Sequence, residues 1–317
     1  MEIYGDSLDS ILVDLYKELL AHSENVPGSR ADDAGIWEVI GVKLQISKPR
    51  ARLSRSENRG KAFSPLGELL WYLSKSDRVD FIEPYIKKYQ EEAEGDIVFG
   101  AYGPRIFNMR DGIDQFRNVG ALLRNNPDSK RAVIQIFNAE DIVTRHKEIP
   151  CTTTMQFLVR NERLHMSVTM RSNDAYMGLP HDVFCFTMLQ EMMARHIGVE
   201  LGEYHHYAGS MHFYDKNRTH LTEYLNEGVQ KISEMPEMPK IDPIELIENL
   251  LHAENDIRKG VKIIANETIE TDYWADMVRL IQAFWAFKEK DAKRLETLKS
   301  EFAHPIYKVY LENLVSR

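Results

Sequence analysis

The chain has 317 residues, with 40 Lys+Arg against 49 Asp+Glu and a formal net charge of −9. That balance argues against a broad nucleic-acid-binding surface, and no apolar run nears the roughly 18 residues of a membrane span. Only two cysteines occur, Cys151 and Cys185, which excludes a disulfide framework and a cysteine-rich zinc site. The N-terminal MEIYGD lacks the basic region and apolar core of a secretory signal, so a cytoplasmic globular protein is expected.

In chain order, residues 7–21 place Leu8, Ile11, Leu12, Leu15 and Leu19 on one helical stripe. A polar, glycine-punctuated loop follows, and Trp37 to Ile46 alternates like a strand. The segment 47–64, with six Lys or Arg among Ser and Gly, reads as an exposed loop. Residues 65–74 open with proline and continue as a helix. The middle of the chain turns to β character. Residues 131–138 predict a strand, and 153–160 with 163–170 a hairpin. A helix is predicted from Asp182, as N-cap, to about Ile197, stopped by Gly198. Strand-like alternation returns over 203–214. Pro236, Pro239 and Pro243 then punctuate a linker. Beyond it, 244–258, 271–289, 291–302 and 306–315 read as amphipathic helices. The pattern is α+β, with a catalytic-looking unit over 1–220 and a mostly helical extension over 221–317.

Several side chains could carry chemistry. Cys151 follows Pro150 at a strand start; it would be a nucleophile if cations lowered its pKa, or else a buried structural thiol. Arg171 and Ser172 suit a phosphate, or simply cap a surface loop. Lys130 and Arg131 form a second cationic pair whose plain explanation is a solvated turn. Glu68 lies in the apolar run GELLWYL. If its face is buried, desolvation raises its pKa into a useful acid–base range; otherwise it faces solvent. His212 and Tyr214 share a strand face and could bond a ligand hydroxyl or pack in the core. His206 shares that face with His212, but no acidic ligand accompanies them, and no metal is expected.

Taken together, PCTTTMQFLV, RSNDAYMGLPHDVFCFTMLQEMMA and HHYAGSMHFYDKN resemble the thymidylate synthase family. So do GELLWYL, the GAYG around Tyr102, and IDQ…NNPDSKRAVIQIFN, in the family's order over about residues 1–220. The resemblance implies a thymidylate synthase-like mixed sheet packed against helices, and a homodimer with two such sheets back to back. It implies that Cys151 adds to C6 of a pyrimidine nucleoside monophosphate and that 5,10-methylenetetrahydrofolate is the co-substrate. Glu68 and Tyr102 would organise proton transfer. Arg171 and Ser172 would hold the 5′-phosphate, joined by Arg30 and by Lys130 and Arg131 from the partner subunit. His212 and Tyr214 would bind the sugar, and Asp174 would lie near the base and the folate ring.

The departures point to the reaction. Asp182 stands where the uridylate-specific synthases carry Asn. A carboxylate accepts from N4 of cytosine and repels O4 of uracil, which resembles the cytidylate hydroxymethylases of the family. The alternative is that Asp182 merely caps its helix. The segment Tyr85-Ile86-Lys87-Lys88-Tyr89 lacks the family's Trp, and a wetter pocket favours water over hydride at the intermediate. Thr152 and Ser210 replace His and Asp, with no consequence that follows from their chemistry. The added helices leave open how Arg317 would close the site. The expected activity is 5-hydroxymethylation of CMP or dCMP. Its rivals are methylation of a uridylate and a non-catalytic nucleotide-binding scaffold.

Overall fold

A computed structural model describes residues 1–26, 35–56 and 61–315. Strands β1 (Glu2–Gly5), β2 (Glu24–Val26), β3 (Ile36–Ile46), β4 (Val133–Gln135), β5 (Thr152–Arg160), β6 (Arg163–Asp174) and β7 (Glu200–Tyr214) build one mixed sheet. Its order is β1-β3-β7-β6-β5-β4, with β2 also paired to β3. The β6–β7 pair is parallel and its neighbours antiparallel, so β6 and β7 run together between oppositely directed β3 and β5.

Local sequence explains the framing elements. The stripe of helix α1 (Leu8–His22) is buried, and Ser7 with Ser10 closes a capping box at its start. The β5–β6 hairpin turns on Asn161 and Glu162 at φ 51° and 57°, the left-handed pair a two-residue hairpin needs. Helix α2 (Phe63–Leu73) carries Glu68. Short helices α3 (Val79–Ile82), α4 (Lys88–Glu92) and α5 (Tyr102–Phe107) and the longer α6 (Gln115–Asn125) follow, with α4 supplying Tyr89 and α5 Tyr102. Helix α7 (Leu179–Ile197) is almost wholly buried and ends at Gly198 in the left-handed conformation.

Three expectations change. The exposed loop expected over 47–64 is in part enclosed: Ala51, Arg52, Leu53, Ser54 and Ser56 are buried, while residues 57–60 lie outside the described residues. Arg52, fully enclosed, pairs with the equally enclosed Glu191 of α7. A count of charges could not see a partner 139 residues away. The strand expected over 131–138 shrinks to three residues, because Arg105 and Gln115 side chains donate to the carbonyls of Ile136 and Gln135. Asp182 is not the N-cap of α7. The helix starts after Gly178, with Pro180 in its first turn, which puts Asp182 inside the helix.

Beyond β7 come α8 (Arg218–Asn226), α9 (Ile244–Arg258), α10 (Ala265–Thr268), α11 (Asp272–Lys288), α12 (Ala292–Glu301) and α13 (Lys308–Val315). They share the core of the preceding residues. The Tyr224 hydroxyl donates to Asp9 at 2.6 Å, the Met238 amide to Glu191 at 2.9 Å, and the Tyr310 hydroxyl to the Ser54 carbonyl at 3.0 Å. Among the described residues no helix is long and apolar enough to cross a membrane.

Candidate active site

Cys151 sits half-buried where the chain enters β5. Arg171 of β6 lies alongside. Its Nη2 donates to the Cys151 sulfur at 3.6 Å, and its Nε and Nη2 donate to the carbonyls of Pro150 and Ile149 at 2.9 and 3.0 Å. Burial nevertheless outweighs the guanidinium, and the thiol is pushed up to about 12, with Glu148, Asp182 and Glu92 adding negative potential. The Thr152 amide donates to the Tyr102 hydroxyl at 3.0 Å, tying α5 to the residue after the thiol. The Thr152 hydroxyl is buried without a partner.

Glu68 faces inward, not to solvent, and is only 5% exposed. The Tyr72 and Tyr89 hydroxyls donate to its Oε1 at 3.0 and 2.7 Å. Burial raises its pKa; the two tyrosines oppose the shift and Glu92 reinforces it. Its Oε2 has no hydrogen bond, although His181 Nδ1 stands 3.5 Å away and His181 Nε2 lies 2.9 Å from the Ser64 hydroxyl. Tyr72, Tyr89 and His181 were not singled out from sequence. Tyr72, four residues after Glu68 in GELLWYL, was the one signal available.

Asp182 is half-buried. Asn173 Nδ2 donates to its Oδ2 at 2.7 Å, and burial plus the nearby Glu68 and Asp174 hold its pKa well above the usual carboxylate range. Behind it, His206 Nε2 lies 2.9 Å from Asn173 Oδ1, and the Tyr204 hydroxyl 2.8 Å from His206 Nδ1. His206 is therefore a core histidine held neutral by burial, its pKa lowered to about 3, and not a metal ligand. Asp174 pairs in register with His212, and its Oδ1 accepts from the amides of Tyr176 and Met177. Ser172 lies opposite Ser210, half-buried. His212 and Tyr214 make an edge-to-face pair, ring centroids 5.5 Å apart. Cys151 thus neighbours Arg171, Tyr102 and Asp182, and Asp182 neighbours Glu68 and Asp174, with His212 in register beside Asp174 at the same end of the sheet.

Lys130 and Arg131 do not join them. Both are exposed beside Ala132, whose carbonyl accepts from the Phe157 amide. That is six residues along β5 from Cys151, roughly 20 Å at the rise of a strand. Arg30 and Arg317 lie outside the described residues. On the sheet's half-exposed face, His165, Glu203 and His205 bring three potential ligand atoms within 4.8 Å of one another. His165 Nδ1 already accepts from the Glu203 amide at 3.2 Å, which leaves that nitrogen committed.

A half-buried thiol beside an arginine and a desolvated carboxyl–tyrosine cluster thus lie on one mixed sheet and the helices against it. Comparison with protein families matches residues 14–251 to thymidylate synthase. The chain belongs to the thymidylate synthase family. It is also 30% identical over 231 residues to the deoxyuridylate hydroxymethyltransferase of Bacillus phage SP01, a match covering 66% of this chain and 59% of that relative. The chain therefore spans about three fifths of the length of that curated relative.

Proposed function

We propose that this protein is a cytidylate 5-hydroxymethylase, converting CMP or dCMP to the 5-hydroxymethyl nucleotide. The reading rests above all on Asp182, whose carboxyl is fixed by Asn173 rather than spent on capping a helix. A carboxyl there can accept from N4 and, when protonated, donate to N3 of cytosine. The relative's name supports the hydroxymethyl outcome and makes hydroxymethylation of a uridylate the second reading.

In this reaction Cys151 sulfur bonds to C6, and the C5–C6 π pair moves to C5. C5 then bonds to the one-carbon unit, which 5,10-methylenetetrahydrofolate supplies when bound. The residues present fit that group: Glu68 Oε2 is a buried acceptor without a hydrogen bond, on the carboxyl that the half-buried Tyr89 also meets. Loss of the C5 proton would expel tetrahydrofolate by breaking the bond between its nitrogen and the one-carbon unit, and water would then add to the exocyclic methylene left on C5 to give the hydroxymethyl group. Cleavage of the C6–S bond returns the thiol. Glu68, raised by burial, holds or releases the protons in transit, and Tyr102 orients the strand that carries the sulfur. Tyr85 turns to the helical extension, where its hydroxyl donates to Glu254 at 2.8 Å, and the segment 85–89 carries no tryptophan to shield the new exocyclic carbon from water.

Arg171 and Ser172 hold the 5′-phosphate, with Arg30 as a further cation, and His212 with Tyr214 the sugar hydroxyl. The assembly is a cytoplasmic homodimer in which Lys130 and Arg131 reach the partner's phosphate. Their distance from their own thiol supports that role. Residues 1–220 form the catalytic unit and 221–317 a helical extension that braces it. Mass spectrometry of products from CMP, dCMP, UMP and dUMP with methylenetetrahydrofolate tests the proposal. A hydroxymethyl product from a cytidylate is expected; product from a uridylate alone refutes the base assignment.

A further inference from the structure

We propose that Asn173, His206 and Tyr204 are positioning residues that set base preference, by fixing which oxygen of Asp182 donates and which accepts. This deepens the Asp182 reading above and rests on it. The four side chains form one continuous run of hydrogen bonds at 2.8, 2.9 and 2.7 Å, from Tyr204 through His206 and Asn173 to Asp182. Tyr204, His206 and Asn173 are at most 3% exposed, so no bulk water competes.

A neutral imidazole has one N–H and one lone pair, so it donates on one side and accepts on the other. With Asn173 Oδ1 toward His206, the run has a single polarity. The Tyr204 hydroxyl donates to Nδ1, the Nε2–H donates to Asn173 Oδ1, and Asn173 Nδ2 donates to Asp182 Oδ2. Oδ2 is thereby held as an acceptor, and a proton on this carboxyl resides on Oδ1. Gly178 gives the last bond its room. A Cβ there would stand 3.3 Å from Asn173 Nδ2 and 3.5 Å from Asp182 Oδ2.

Cytosine offers an acceptor at N3 and a donor at N4; uracil offers a donor at N3 and an acceptor at O4. The two bases exchange these roles between adjacent positions. A carboxyl whose proton could hop between oxygens would serve either base equally. One with its proton pinned to Oδ1 matches one order and opposes the other, so discrimination comes from the buried relay as much as from Asp182 itself.

The test is the ratio of kcat/KM for cytidylate over uridylate, measured on the full chain with methylenetetrahydrofolate. Asn173→Ala and His206→Phe are each expected to lower it about ten-fold or more. His206→Gln, whose amide can still donate to Asn173, is expected to restore most of it. A residue serving only the fold would lower turnover on both bases together and leave the ratio alone; that result overturns the proposal. Asp182→Asn is the control: if it leaves the ratio unchanged, the base reading itself fails, whereas a shift there with unchanged ratios in the relay variants sinks the relay alone. Should the core variants fail to fold, long-range ¹⁵N spectra of wild-type His206 decide. A proton on Nε2 is expected, and one on Nδ1 reverses the polarity and refutes the assignment.

Discussion

Arg171 and Cys151 are joined at 3.6 Å, yet the guanidinium is also pinned by two backbone carbonyls, those of Ile149 and Pro150. A cation so shared offsets only part of the cost of ionising a buried sulfur, which is why the thiol stands at about 12. At pH 8 its thiolate fraction is on the order of 10⁻⁴, against about a quarter for an ordinary thiol. Alkylation by iodoacetamide should therefore run about a thousand-fold slower than for free cysteine and rise about ten-fold per pH unit from 8 to 11. A rate matching free cysteine at pH 8 contradicts this account.

Covalent chemistry at the same sulfur can be trapped. A 5-fluoropyrimidine nucleotide with methylenetetrahydrofolate should leave a mass-shifted peptide containing Cys151. Cys151→Ala should form no adduct and lose turnover while still binding nucleotide. Retained turnover in that variant would remove the nucleophile assignment, and no adduct in the wild type would favour a non-catalytic scaffold.

Glu68 ionises under the influence of two phenols. Their hydrogen bonds to Oε1 favour the charged carboxylate, against a burial that disfavours it. Removing one by Tyr89→Phe raises the carboxyl's pKa further, so the acid limb of the kcat/KM profile should move to higher pH. A limb that stays put, or moves down, excludes Glu68 as its source. Glu68→Gln should lower kcat by about 10²-fold or more with nucleotide affinity little changed, as expected for a lost acid–base group.

Arg52 and Glu191 bear on stability rather than chemistry. Both are fully buried, and truncating one leaves the other an uncompensated charge. Arg52→Ala should cost about 3–5 kcal/mol in urea unfolding, whereas replacing both with Met and Leu should recover most of it. Equal losses in the single and double variants would show that packing, not charge, governs the site.

Much of the frame is legible in the sequence because it is local. The helix over 244–258 matches its apolar spacing residue for residue, the hairpin shows in its alternation, and Gly198 marks a helix end. What escapes is non-local. β1 is four residues long and earns its place only by parallel pairing with β3. Asp182 reads as a cap because its short carboxyl suits one; its true partner, Asn173, comes from the adjoining strand. His206 has no assigned role in HHYAGSMH until Asn173, 33 residues earlier, meets it across β6 and β7. Of the candidate residues named by motif, Cys151 and Arg171 are in contact and Lys130 and Arg131 stand apart, while the tyrosines around Glu68 and the run behind Asp182 come from pairings no spacing rule encodes.

Tyr85 packs so tightly over Gly67 that a Cβ at position 67 would lie 2.2 Å from its ring, while its other face stacks on Phe284 at 4.3 Å. One missing methyl group next to Glu68 is thus the keyhole into which the distant helix α11 is latched. A single Gly67→Ala change would push Tyr85 from the inside and so loosen its stack on Phe284, disturbing the tail's packing without any substitution in the tail itself.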